Sequence, residues 1–194
     1  MFETLKENLE QKGYQVRCFG TKEEAADYLC AGLQGKHVGF GGSMTLLDMG
    51  IYERLEKTGP VSWHWKTPGV LPQARTAEVY LTSVNGIAET GEIVNIDGTG
   101  NRVAAMTFGH QKVYFVVGAN KVAADLPAAL ERARNVAAPL NAKRLSRKTP
   151  CAERGDKCYD CKSPERICRA LSVFWEKPGG CDYEVVLVEE NLGY

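Results

Sequence analysis

Strand-like and helix-like segments alternate along the chain, which predicts an α/β layered domain: a mostly parallel sheet flanked by helices, a Cys-rich C-terminal segment and a terminal strand pair. Three observations carry this expectation. Val113-Tyr114-Phe115-Val116-Val117-Gly118 is apolar on both faces, as a central strand covered by helices on each side must be. Apolar residues recur at helical spacing between the short apolar runs. The chain has 194 residues, 44% hydrophobic and 25% charged, which suits a single globular domain over 1–194.

The elements follow in order. Phe2, Leu5 and Leu9 share one helical face, and Gly13 stops that helix. Residues 14–19 read as a strand. Thr21-Lys22-Glu23-Glu24 fits a capping box, with the Thr21 oxygen accepting from a free N–H while Glu24 reaches back. The helix it opens carries Ala25, Tyr28 and Leu29 on one face and ends among Gly32 to Gly35. His37-Val38-Gly39-Phe40 is a short buried strand, and residues 46–55 form a helix broken near Gly50. Residues 78–84 form the next strand, and Glu89-Thr90-Gly91-Glu92 is a tight turn between extended segments, Gly91 supplying positive φ. A long helix over about 125–145 places Leu126, Leu130, Ala133 and Ala137 inward and is broken or kinked at Pro139. Residues 172–175 and 183–188 form the terminal strand pair, joined through Pro178-Gly179-Gly180.

Charge excludes some functions. Lys and Arg total 24 and Asp and Glu total 24, so no net field attracts nucleic acid or an anionic membrane. Residues 143–169 are locally basic, but without interleaved aromatics they read as solvated surface rather than a nucleic-acid site. The opening residues lack a basic stretch followed by an apolar run, and no run reaches the roughly 18 apolar residues of a spanning helix. The expectation is a cytoplasmic protein with no membrane and no nucleic-acid partner; the sequence leaves room for a homo-oligomer.

Two loops carry functional signal. Gly39-Phe40-Gly41-Gly42-Ser43-Met44-Thr45 runs from a strand into a helix. Glycines admit a ligand close to the backbone, free N–H groups at a helix start favour an anion, and the Ser43 and Thr45 hydroxyls add donors. The plainer reading is a helix capped by Ser43. The second loop ends in Asp97-Gly98-Thr99-Gly100-Asn101-Arg102, whose backbone N–H groups can wrap a carboxylate or phosphate beside the fixed cation Arg102. The plainer reading there is turn chemistry between strands. Together Gly41, Gly42, Ser43, Met44, Thr45, Asp97, Gly98, Thr99, Asn101 and Arg102 form the expected site for a small anionic ligand. Trp63-His64-Trp65 reads first as packing, with lining a pocket as the alternative.

The chain has seven cysteines. Cys18, Cys30 and Cys181 stand alone and read as buried thiols. Cys151, Cys158, Cys161 and Cys168 have the spacing C-x6-C-x2-C-x6-C, with Gly155, Asp156 and Pro164 supplying turns between them. Four soft thiolates so grouped suit an iron–sulfur cluster or zinc, and two disulfides are the third reading. Lys157, Lys162, Arg166 and Arg169 would offset the charge of four sulfurs.

Gly41-Gly42-Ser43-Met44-Thr45-Leu46, the run from Asn95 to Ala105, the run from Arg134 to Leu145 and the closing Asn191-Leu192-Gly193-Tyr194 resemble the LUD (lactate utilisation) domain family over nearly the whole chain. The resemblance implies a fold similar to that of ribose-phosphate isomerases, glucosamine-phosphate deaminases, coenzyme A transferases and folate cyclo-ligases. In these relatives the glycine loop and the acidic turn meet at the carboxyl ends of parallel strands. It also implies a role in bacterial lactate oxidation beside iron–sulfur redox partner proteins, and supplies no agreed catalytic residue. Glu89 is the best acid–base candidate, because related transferases and isomerases place acidic residues there; Asp97 is the second. The single knuckle with two outlying cysteines, together with the lactate context, tilts the metal from zinc to a 4Fe–4S cluster held in residues 150–169. The alternatives are a stand-alone isomerase, transferase or hydrolase acting on a phosphorylated sugar or a thioester, and a non-catalytic subunit with structural zinc.

Overall fold

The structure is a computed structural model that describes all residues, Met1–Tyr194. Helix α1 (Glu3–Gln11) buries Leu5 and Leu9, and Gly13 leaves it at positive φ into strand β1 (Gln15–Phe19). Helix α2 (Lys22–Leu33) opens with the expected capping box: the Thr21 side chain accepts from the Glu24 N–H, while the Glu24 carboxylate accepts from the Thr21 N–H. Strand β2 (Val38–Phe40) runs into α3 (Met44–Asp48) and α4 (Ile51–Leu55), separated at Gly50 with φ of 61°. Next come β3 (Val61–Ser62), α5 (Leu71–Arg75) and β4 (Val79–Thr82). Strands β5 (Gly86–Ala88) and β6 (Ile93–Asp97) flank the turn at Gly91, and α6 (Asn101–Thr107) leads to β7 (Lys112–Gly118).

A 3-10 turn at Ala119–Lys121 and β8 (Val122–Ala123) precede the long helix. That helix is α7 (Leu126–Arg132), a π turn at Ala133–Ala137, and α8 (Ala138–Arg144). Pro139 therefore does not end it. Proline has no N–H for the carbonyl one turn back and its ring crowds that carbonyl, so the turn before it widens by a residue and the helix continues. Helix α9 (Pro150–Arg154), an irregular stretch, β9 (Ala170–Phe174) and β10 (Asp182–Val188) complete the chain.

Six strands form an all-parallel sheet in the order β1-β10-β7-β4-β2-β3, and four form a second sheet in the order β8-β5-β6-β9. The two-sided apolar pattern of β7 is realised by alternation: Tyr114 and Val116 belong to one core cluster with α2 and α4, while Val113, Phe115 and Val117 belong to the other with α1. Each such side chain contributes about 1.5–3 kcal/mol on burial.

The terminal strands form but do not pair with each other. β10 inserts between β1 and β7, and β9 runs antiparallel to β6 at the edge of the small sheet. Burial explains the separation. Six of the seven residues of β10 are buried, which requires cover on both faces, whereas β9 exposes Leu171 and suits an edge. No helix is long and apolar enough to cross a membrane.

The chain leaves β2 toward β3 on one side and leaves β4 toward β7 on the other, so the sheet has its topological switch between β2 and β4. Their loops diverge there and leave a crevice at the carboxyl ends. Gly39 sets the spacing beneath it, since a Cβ at this position would collide with the Ala74 carbonyl oxygen. Gly39→Ala is expected to cost about 1–3 kcal/mol through overpacking. Urea unfolding measures this, and an unchanged midpoint would contradict the close approach.

Candidate functional site

A cavity of about 230 Å³ opens at this switch point. Its walls come from the loop after β2 (Gly42, Ser43, Met44), the segment after β3 (His64, Trp65) and the residues after β4 (Ser83, Val84, Asn85). Lys121 beyond β7 and Tyr194 beyond β10 also reach it. Ile96 to Thr99, Asn101 and Arg102 close one side, and Asn141, Arg144 and Arg147 close the other. The glycine loop and the acidic turn thus meet at one crevice.

The loops are held by specific contacts. Gly42 has room for no side chain because the Trp65 ring lies on it; a Cβ would fall 2.9 Å from that ring. Ser43 caps α3 by accepting from the Leu46 N–H at 3.2 Å. Thr45 is fully buried behind the cavity wall, donating to the Leu192 carbonyl. Gly41 lies deeper still, against Tyr80, Thr82 and Arg102. Of the Trp63-His64-Trp65 run, Trp63 packs in the core, while His64 and Trp65 line the cavity with Arg144 stacked over the Trp65 ring.

Asp97 has a structural task. One oxygen accepts from the N–H groups of Thr99 and Gly100, both at 3.0 Å, and the other from those of Arg102 and Val103 at 2.9 and 3.0 Å. The backbone donors expected to wrap a ligand are therefore taken by the chain's own carboxylate. Burial works to raise the Asp97 pKa, but these N–H groups and the Arg102 charge outweigh it and hold the carboxyl below its ordinary range. An acid so satisfied is not poised to exchange protons. Glu89 sits exposed on the turn at the far end of β5 and is not among the residues that line the cavity.

Arg102 points inward from the start of α6. Its guanidinium donates to the Ser83 carbonyl, the Asn95 and Asn85 side chains and the Ile96 carbonyl at 2.5–3.2 Å. Every acceptor is neutral. Lys121 was not among the expected residues. It is 4% exposed, and its Nζ donates to Thr45 Oγ1 at 2.8 Å, Ser83 Oγ at 3.0 Å and the Val84 carbonyl at 3.1 Å. No carboxylate pairs with it, and burial beside Arg132 and Arg102 pushes its pKa down to about 7. The available signal was a lysine three residues beyond the glycine that ends the central strand, where a parallel sheet presents its ligands. With Arg144 and Arg147, the cavity presents four basic side chains and one acidic side chain, whose oxygens are bonded to backbone N–H groups and whose charge acts on Arg102.

The four clustered cysteines share a second, smaller cavity, lined by Cys151, Cys158, Cys161 and Cys168 with Arg134, Arg166 and Ile167. None of the seven cysteines is joined in a disulfide in this structure, and Cys18 is exposed rather than buried. Arg166 braces the loop by donating to the carbonyls of Cys161 and Cys168 and to Asp160, and the Asp160 N–H donates to Cys158 Sγ at 3.3 Å. The donor chemistry, four thiols beside two arginines, fits a thiolate-ligated metal or cluster. The spacing is looser than a formed centre: no three His, Cys, Asp or Glu side chains stand together closely enough to hold a metal ion. Ile167 and Ala138 line both cavities, so one layer of side chains separates them.

The Asp97 arrangement predicts a pH dependence. A carboxyl whose pKa falls on folding adds stability above its unfolded value, about pH 4. That stability is lost as pH falls through the lower folded value. Asp97→Asn, which keeps the shape without the charge, should therefore be less stable than the native chain near pH 7, with the difference closing on acidification. Urea midpoints between neutral and acid pH check this, and parallel profiles would reject it.

Comparison with known proteins agrees with the fold. No curated protein matches the chain. A solved structure, that of a DUF162 family protein from Deinococcus radiodurans, is similar with a TM-score of 0.54 at 12% identity, covering 95% of this chain and 94% of that one. The profile of the LUD domain matches residues 2–188. The chain belongs to the LUD domain family.

Proposed function

We propose that this lactate-utilisation type protein binds a small organic or phosphorylated anion in the cavity at the sheet's switch point. The observation that carries the reading is the charge balance there: Arg102, Lys121, Arg144 and Arg147 face a space with one acidic side chain, Asp97, whose single charge acts on Arg102 and whose oxygens are bonded to four backbone N–H groups. Lys121 is buried without a carboxylate partner, which is costly, and an anion entering this space offsets that cost. The lining favours a carboxylate or phosphate group on the basic side chains, oriented by Asn85, Asn101 and Asn141. The stand-alone acid–base enzyme built on Glu89 has less support, because that side chain is not among those that line the cavity.

Within this reading, Cys151, Cys158, Cys161 and Cys168 are the residues to hold an iron–sulfur cluster, with zinc as the competing metal. A bound cluster supplies one-electron transfer to redox partner proteins. The chain's own contribution is to bring four thiols to one cavity and brace their loop through Arg166. Because a thiolate site rarely preforms, loading is expected to tighten residues 155–169, which carry no regular secondary structure.

Two measurements test these readings. Isothermal titration with inorganic phosphate and with lactate is expected to give saturable binding. Replacing Arg144 and Arg147 together by Ala should weaken it by at least about tenfold, since a charge-assisted hydrogen bond contributes about 1.5–3 kcal/mol. Absence of binding by either anion would remove the anion reading. Anaerobic reconstitution with iron and sulfide, with zinc in parallel, should load the wild-type chain and fail in Cys158→Ser and Cys161→Ser; equal metal content in all three would exclude the site.

A further inference from the structure

The cavity contains a nucleophile that simple anion binding does not require. Lys121 is buried at the carboxyl end of the central strand and lines the cavity, yet is joined only to neutral oxygens of Thr45, Ser83 and Val84. A structural lysine this deep would be expected to meet a carboxylate. The charged groups facing it are Arg132 from α7 and Arg102 from α6, which oppose its proton, and Asp48 from α3, which favours it. Desolvation and the two arginines prevail and push the amine's pKa down to about 7, in the direction that amine nucleophiles require. Both hydroxyl protons are committed elsewhere, since Ser83 Oγ donates to Thr45 Oγ1, which donates to the Leu192 carbonyl, so both oxygens act as acceptors toward Nζ. On losing a proton, Nζ keeps two of its donor bonds, and attack on a ligand requires it to give up its third partner and turn its lone pair into the cavity.

We infer that Lys121 is a catalytic amine that condenses with the ketone of a 2-oxo carboxylic acid whose carboxylate is held by the arginines of the same cavity. In this step the neutral Nζ adds to the carbonyl carbon and a C–N bond forms. The carbonyl oxygen gathers the two amine protons and leaves as water, and a C=N bond remains. No oxidant or reductant takes part. A 2-hydroxy acid satisfies the same arginines but offers no electrophilic carbon, so the site distinguishes the oxidised from the reduced form of one acid. The inference rests on the anion-binding reading and assigns it a substrate class.

The test is reductive trapping. The full chain is incubated with pyruvate and cyanoborohydride, and adducts are located by intact mass and peptide mapping, with lactate in place of pyruvate as the control lacking a ketone. The expected result is one adduct at Lys121 with pyruvate and none with lactate, and a trapping rate that rises with pH through neutrality rather than near the range of an ordinary lysine. Lys121→Arg keeps the cation; where its thermal midpoint matches the wild type, loss of the adduct assigns it to Lys121. Should that variant not fold, mapping on the wild-type chain decides alone. No adduct, or labelling spread over surface lysines, overturns the inference. Phosphate titration of the same sample separates the two failures: phosphate binding without an adduct removes only the amine chemistry, while loss of phosphate binding removes the anion pocket itself.

Discussion

Four backbone N–H groups converge on the two oxygens of Asp97, and the geometry of the site follows from that one carboxylate. It sets where α6 begins and so aims Arg102 into the crevice, where the guanidinium ties the ends of β4 and β6 together through Ser83, Asn85, Asn95 and Ile96. Gly98 beside it admits the backbone of Ile167, since a Cβ there would stand 2.8 Å from the Ile167 carbonyl oxygen. The acidic turn therefore serves as a joint between the parallel sheet, the small sheet and the cysteine segment. A charge buried this way is tolerated because every lone pair that matters is occupied.

The consequence is an unbalanced cavity. Asp97 brings one negative charge, which acts on Arg102, against the four basic groups that enter from α6, the turn after β7 and the end of α8. Lys121 keeps three neutral partners, and Arg144 rests on the Trp65 ring. The closing residues strengthen this arrangement: Gly193 adopts positive φ against Thr45, and Leu192 and Gly193 bond to Asn120 and Asp48. The terminal segment thereby packs behind Thr45, one of the oxygens that Lys121 bonds.

The cysteine segment adjoins this cavity through a thin wall. Ile167 and Ala138 face the four-thiol cavity on one side and the cationic cavity on the other. Backbone pairing continues across the junction, since the Arg169 N–H donates to the Asp97 carbonyl. The four-thiol cavity and the cationic cavity thus share a wall of directly contacting residues.

Most secondary structure was legible in the sequence because it depends on local chemistry. The Thr21–Glu24 capping box, the break at Gly50, the turn at Gly91 and the apolar run of β7 all appear where the residues require them. The meeting of the glycine loop with the acidic turn was readable too, through the resemblance and the parallel-sheet rule. Tertiary structure alone decided the rest. Whether β10 pairs with β9 or slides between β1 and β7 depends on which helices cover its faces. Whether Asp97 binds a ligand or its own backbone depends on the path of residues 98–103. Lys121 was invisible because burial without a counter-charge is a property of surroundings gathered from four strands' ends, and no local pattern in the chain encodes it.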